Sequence, residues 1–202
     1  MTQTHEYRIA GLTVRTVGEG PESDLANIIG GFRPFETPVT DADADLTLHP
    51  GENIEPEAYD AEELDSFDFP DADADCRFCR YDGGYLFYMV RRTDGYRTTF
   101  VGSDSSSVVL SDIARHGAPD PALLRFGLWM MFNVALTRRG GVAIHSSVIV
   151  NHGRAAMFLG ESGTGKSTHT RLWREHIGGS RLLNDDSPIL RIIDGVPTAF
   201  GS

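Results

Sequence analysis

The chain has 202 residues, 40% of them hydrophobic and 23% charged, with a formal net charge of −11 at pH 7. It is long enough for one large domain or two small ones with a real core, and its composition is that of a globular protein. The negative charge argues against a nucleic-acid surface, which needs a basic patch, and it is local: residues 41–75 hold fourteen of the 29 acidic residues and no Lys or Arg.

The N-terminal MTQTHEYRIAG has no basic segment followed by an apolar run, so it does not read as a signal peptide. The longest apolar run, near residues 128–136, is too short and interrupted to span a bilayer. Cys76 and Cys79 are the two cysteines and give no disulfide framework. A cytoplasmic protein without a membrane partner is the expectation.

Residues 7–16 alternate apolar and polar around Gly11 and predict a first strand or hairpin arm. Residues 25–35 carry Gly30-Gly31 and Pro34, which break any regular element. A short strand is expected at 46–48, ended by Pro50-Gly51. Residues 52–75 are acidic and weakly periodic. The two DADAD runs, 41–45 and 71–75, lack the sixth-position glycine and twelfth-position glutamate of an EF-hand loop, so they read as solvated acidic loops. The lone C-x-x-C at 76–79 has no second pair for a zinc site and no helix behind it for a redox dithiol, and reads as strand. Residues 81–110 are the clearest β region, with a hairpin turning at Thr93-Asp94-Gly95 and a further strand at 108–110.

Asp120-Pro121 predicts a helix start, with Asp as cap and Pro in the first turn. The helix should run over 122–137 and end at Arg138-Arg139-Gly140. Leu124, Leu128, Met131 and Ala135 form one stripe, and Leu123, Phe126, Met130 and Val134 nearly another, so the helix should be buried on most sides.

Residues 142–150 read as one strand with His145 in its middle, followed by a turn at Asn151-His152-Gly153 and a second strand at 155–159. That strand feeds GESGTGKS, residues 160–167, which has the spacing G-x-x-x-x-G-K-S/T of a phosphate-binding loop. Its glycines let backbone N–H groups turn toward a polyphosphate, and the helix that follows offers the positive end of its dipole. Lys166 supplies a point charge for the outer phosphates, and the Ser167 hydroxyl suits Mg²⁺. Lys166 is the one lysine of the chain; the other seventeen basic residues are arginines. A helix over 167–177 should end at Gly178-Gly179, and a strand over 181–184 should deliver Asp185-Asp186. Carboxylates at the end of a strand beside a phosphate loop are placed for metal binding or for orienting the attacking group.

The run AIHSSVIVNHGRAAMFLGESGTGKSTHTRLWREHIGGSRLLNDDSPIL, residues 143–190, resembles the core of the HPr kinase/phosphorylase family. That core likewise has a histidine in a strand, a G-D/E-S-G-x-G-K-S loop, a helix and an Asp-Asp pair. ATP-dependent phosphoenolpyruvate carboxykinase is similar in arrangement. The resemblance implies that Gly160, Glu161, Ser162, Gly163, Thr164, Gly165, Lys166, Ser167 and Thr168 hold ATP, with Lys166 on the β- and γ-phosphates. It implies Mg²⁺ on Ser167 and Asp186, Asp185 as the base for an acceptor hydroxyl, and His145 near the transferred phosphate or a second divalent ion. One departure is Ser146, which stands where the family has glycine.

The expected fold class is therefore α+β or α/β. A β-rich N-terminal domain over 1–118 would precede a bridging helix and a P-loop core of the HPr kinase/carboxykinase type over 119–202, truncated before its last strands. The expected function is an ATP/Mg²⁺-dependent phosphotransferase acting on a hydroxyl of a protein serine or a small molecule, with self-association left open. Two alternatives stand beside it: a carboxykinase-like enzyme for a small carboxylic acid, and an ATP-binding regulator without catalysis. A transporter ATPase is disfavoured, since no LSGGQ-type segment follows the loop.

Overall fold

Turns of two residues, repeated along the chain, set three of the antiparallel strand pairings. Ala10-Gly11, His152-Gly153 and Asp194-Gly195 all take positive φ at both positions, the type I′ geometry that joins antiparallel neighbours. The structure, a computed structural model, describes residues 1–201, Glu22 by its backbone alone. The chain divides into two compact units, Met1–Ala135 and Leu136–Ser202. Among the described residues no helix is long and apolar enough to cross a membrane.

The first unit is built on strands β1 (Thr2–Ile9), β2 (Leu12–Glu19), β3 (Glu36–Thr37), β4 (Leu46–His49), β5 (Glu62–Phe69), β6 (Ala74–Tyr81), β7 (Gly84–Arg91), β8 (Arg97–Ser103) and β9 (Val108–Ser111). They form one nine-stranded sheet in the order β3-β1-β2-β4-β9-β8-β7-β6-β5. Strand β4 runs parallel to both of its neighbours, and the other pairs are antiparallel. A one-turn helix, α1 (Leu25–Ile28), follows β2 and is capped by the Asp24 carboxylate, which accepts from the amides of Ala26 and Asn27. Glu6 on β1 is almost fully buried, and Arg15 on β2 pairs with it at 2.7 Å.

Helix α2 (Pro121–Arg138) begins as its sequence demands, with the Asp120 side chain accepting from Ala122 N at 2.9 Å and Leu123 N at 3.2 Å. Leu124, Leu128, Met131 and Ala135 are all buried. Within the first unit the helix packs on the sheet through aromatic rings. Phe126 stacks on Phe69 at 4.2 Å and meets Phe87 edge-on at 5.8 Å. At Gly127 a Cβ would lie 2.1 Å from the Phe100 ring, so the close approach of helix and sheet requires glycine there. The opposite face of the same strands is closed by a cluster of Ile54, Cys79, Leu86 and Val101, with Tyr59, Tyr81 and Tyr88 against it. Adjacent Leu86 and Phe87 are thus both buried, and β7 is covered on both faces.

Sequence and structure differ in the acidic stretch. Residues 62–69, weakly periodic in sequence, form β5, and the end of the second DADAD run, expected as loop, opens β6 at Ala74-Asp75, because the hairpin partners supply the pairing. The charge is compensated locally: Arg92 pairs with Asp68, Asp73 and Asp75 together.

The second unit holds β10 (Gly141–Ala143), β11 (Ser146–Asn151), β12 (Arg154–Leu159), helix α3 (Lys166–His176), β13 (Arg181–Asn184), β14 (Ile189–Ile193) and β15 (Val196–Phe200). These strands make two three-stranded sheets, β10-β14-β15 and β12-β11-β13, antiparallel throughout. The expected α+β or α/β architecture with a P-loop core is overturned. The molecule is mostly β, dominated by the nine-stranded sheet, and the strand that feeds the phosphate loop pairs antiparallel at the edge of a small sheet. The cause is the His152-Gly153 turn: a parallel neighbour needs a crossover of about a dozen residues, whereas a two-residue turn returns the chain antiparallel. The strand expected over 142–150 is likewise broken at His145. Ile144 N bonds to Pro188 O at 3.1 Å and Ser146 N to Asp186 O at 2.9 Å, and β10 and β11 join different sheets.

Replacing Gly127 with Ala should destabilise the first unit by about 1–3 kcal/mol, the usual cost of overpacking. The denaturant midpoint reads this directly, and an unchanged midpoint would show that the Phe100 ring can move aside.

Candidate functional site

The residues singled out from the sequence as phosphate-binding lie on the turn between β12 and α3, residues 160–165, and on the first turn of α3, residues 166–168. Gly160, Gly163 and Gly165 all have positive φ, at 151°, 81° and 95°. A Cβ on Gly160 would sit 2.6 Å from Thr164 Oγ1, so this first position is reserved for glycine by both dihedral and space. Thr164 braces the loop by donating its hydroxyl to Glu161 O at 2.8 Å. Lys166 Nζ donates to the carbonyl oxygens of Gly160 at 2.7 Å and Glu161 at 3.0 Å, so the side chain arches back over the loop. Glu161, Ser162, Ser167 and Thr168 are exposed. Helix α3 is fixed to the strand that precedes the loop by rings: Phe158 stacks on His169 at 5.3 Å and meets Trp173 edge-on at 6.0 Å.

Strand direction brings the remaining candidates to the same place. Because β11 runs antiparallel to both β12 and β13, its beginning lies beside the ends of its two neighbours. Ser146 pairs with Leu159, the residue before the loop, and Val148 pairs with Asn184, the residue before Asp185. His145, immediately ahead of β11, therefore sits at the end of the sheet from which the loop and the acidic pair emerge.

The two aspartates differ in surroundings. Asn184 Oδ1 accepts from the amides of Asp186 at 2.8 Å and Ser187 at 3.0 Å, a turn that sets the direction of both carboxylates. Asp186 Oδ1 meets His145 Nδ1 at 3.2 Å, with 57% of the histidine and 80% of the aspartate side chain exposed. Asp185 Oδ1 instead accepts from the Ser147 hydroxyl, whose residue is fully buried. Ser147 Oγ is also 3.3 Å from Thr170 Oγ1, and Thr170 donates to Ser167 O at 3.0 Å. Ser147, Thr170 and Asn184 carry the geometry of the site and were not singled out as site residues in the sequence. The available signal was the Ser146-Ser147 pair inside an otherwise apolar strand.

The arrangement offers a glycine-shaped loop with one lysine, hydroxyls at the start of a helix, and a histidine and two carboxylates at the neighbouring strand ends. Such a set can hold a polyphosphate with a divalent cation and accept a proton beside it. Compared with family models, curated proteins and solved structures, the chain matches none of them.

The C-x-x-C pair lies apart from these residues in sequence, on β6 in the first unit, as strand. Cys76 and Cys79 are buried free thiols. Burial, helped by the nearby charges of Asp75 and Asp68, pushes the Cys76 thiol up to about 11. Alkylation requires the thiolate, which at pH 8 is about one part in a thousand for such a group against roughly a quarter for a free cysteine. In the native protein, labelling of Cys76 by iodoacetamide at pH 8 should therefore be at least about a hundredfold slower than in denaturant. Equal rates would assign the pair an accessible, reactive role.

Proposed function

We propose that the chain is a cytoplasmic ATP- and Mg²⁺-dependent phosphotransferase that moves the γ-phosphate of ATP to a hydroxyl of a protein or small molecule. The observation that carries this reading is the convergence at one end of the β12-β11-β13 sheet of three groups far apart in sequence: the loop with Lys166, His145, and the Asp185-Asp186 turn. A mechanical ATPase needs a phosphate loop as well, but phosphoryl transfer to a hydroxyl also needs a carboxylate that can take the hydroxyl proton.

The loop amides and the start of α3 favour the polyphosphate through oriented N–H groups. Lys166 exchanges its bonds to Gly160 O and Glu161 O for phosphate oxygens, a local rearrangement of one flexible side chain. Ser167 and Asp186 supply hydroxyl and carboxylate oxygens, the hard donors that Mg²⁺ takes, and Asp186 commits one carboxylate oxygen to His145. Bound there, Mg²⁺ would neutralise charge on the phosphates. Asp185 accepts the proton of the acceptor hydroxyl as the new O–P bond forms and the bond to ADP breaks, while His145 stands beside the transferred group. Electrostatic positioning of this kind supplies most of the catalysis in phosphoryl transfer.

Two substitutions separate binding from transfer. Lys166→Ala should weaken Mg·ATP binding by about tenfold or more, the value of a charge-assisted contact, and calorimetry that finds unchanged affinity would remove the loop from the site. Asp185→Asn should leave that affinity within about twofold and lower the rate of transfer from γ-labelled ATP by about 10²–10⁴-fold. Retained turnover in this variant would move the base to another residue.

A further inference from the structure

A buried hydroxyl pair connects the acidic turn to the helix that follows the phosphate loop. Ser147 on β11 has no exposed surface, and Thr170 on α3 is 2% exposed. Burying hydroxyls in a strand and helix interface is costly unless each is bonded, and here each is. Thr170 donates to Ser167 O at 3.0 Å, Ser147 lies 3.3 Å from Thr170, and Ser147 donates to Asp185. The two residues are 23 positions apart, and Ser147 is 38 from Asp185, so no local backbone motif accounts for the set. Side chains on β11, α3 and the end of β13 converge on one point. Asp186, the adjacent carboxylate, takes no part and pairs with His145.

We propose that Ser147 and Thr170 are positioning residues for phosphoryl transfer: they fix the Asp185 carboxylate relative to the helix start that carries Ser167. This rests on the phosphotransferase reading above. A carboxylate on an exposed turn can adopt several rotamers, and only some direct an oxygen toward the acceptor. The Ser147 hydroxyl selects one by holding Oδ1, which leaves the second oxygen to take the proton. Thr170 Oγ1 abuts Ser147 Oγ at 3.3 Å and limits the directions open to that hydroxyl, while Thr170's own proton goes to Ser167 O and ties this contact to the first turn of α3. The base and the phosphate-binding residues then share one rigid frame. Displacing a reacting group by about 1 Å is enough to cost on the order of 10²-fold in rate, so the frame acts on turnover and not on nucleotide affinity.

The test uses the full chain with Mg·ATP, water standing in for the acceptor hydroxyl, and release of labelled phosphate as the rate. Ser147→Ala should lower kcat by about 10–100-fold while KM and the calorimetric affinity for Mg·ATP stay within about twofold. The retained affinity also shows that the variant has folded. Thr170→Val keeps the shape of the side chain and removes its hydroxyl, and should lower kcat by about tenfold; Thr170→Ser keeps the hydroxyl and should stay within about threefold of the parent. Parent-like kcat in Ser147→Ala and Thr170→Val overturns the positioning role, as does an equal loss in Thr170→Ser and Thr170→Val, which would assign the effect to packing. A parent protein that binds Mg·ATP but releases no phosphate overturns the phosphotransfer reading instead, and with it the need for a positioned base.

Discussion

The candidate site depends on the direction of one strand. Strand β11 runs antiparallel to β12 and to β13, so the start of the middle strand meets the ends of both outer ones. Everything chemical in the second unit leaves from those three termini: His145 ahead of β11, residues 160–165 after β12, and Asp185-Asp186 after β13. A parallel middle strand would have put His145 at the far end of the sheet, about 20 Å away for strands of six residues. The type I′ turn at His152-Gly153 settles that direction, because two residues at positive φ leave the chain no route except back along its own edge.

Local chemistry made the site legible while the sheet remained hidden. The glycines at 160, 163 and 165 and the Lys166-Ser167 pair report their backbone conformation directly, since positive φ and a helix start leave a residue-type signature. The Asp120 cap of α2, the Asp94-Gly95 turn and the strand character of Cys76 and Cys79 were readable for the same reason. Sheet order is written in no such local code. The familiar loop implied an α/β surrounding, but a loop of this kind needs only one strand and one helix to hold its shape. Strand β5 was hidden by its acidic residues, which suit an exposed edge and suppress the alternation that marks a half-buried strand. The break at His145 depends on the Ile144 and Ser146 amides being taken by carbonyls of residues 188 and 186, far downstream. Ser147, Thr170 and Asn184 escaped notice because a small polar side chain has meaning only through the partner it meets.

The acidic half of the chain shows how a charge pattern can be misread when its partners lie elsewhere in sequence. Asp68, Asp73 and Asp75, on β5, on the β5–β6 turn and on β6, converge on Arg92, which follows the end of β7. Such an exposed cluster contributes little to stability pair by pair. Its effect is compensation: one guanidinium offsets the mutual repulsion of three carboxylates and lets the β5–β6 hairpin close. The run of residues without Lys or Arg is therefore partly neutralised in the fold, by arginines that follow it in sequence. Glu63 and Glu57 are paired likewise, with Arg77 and Arg97.

The two aspartates show how one short turn can divide two identical residues. Successive residues leaving a strand face opposite sides, so Asp185 and Asp186 start out pointed apart. The Asn184 side-chain oxygen Oδ1 then accepts from the amides of Asp186 and Ser187, which keeps the chain from relaxing that divergence. On one side a buried hydroxyl waits for Asp185, and on the other an exposed imidazole meets Asp186. A carboxylate tied to the interior is restricted in direction, which suits a group that must meet a hydroxyl at a fixed angle. A carboxylate in the open beside a histidine can adjust, which suits a group that shares a hydrated cation with phosphates. The sequence Asp-Asp is symmetric, and the difference in surroundings comes from what lies to either side of the turn.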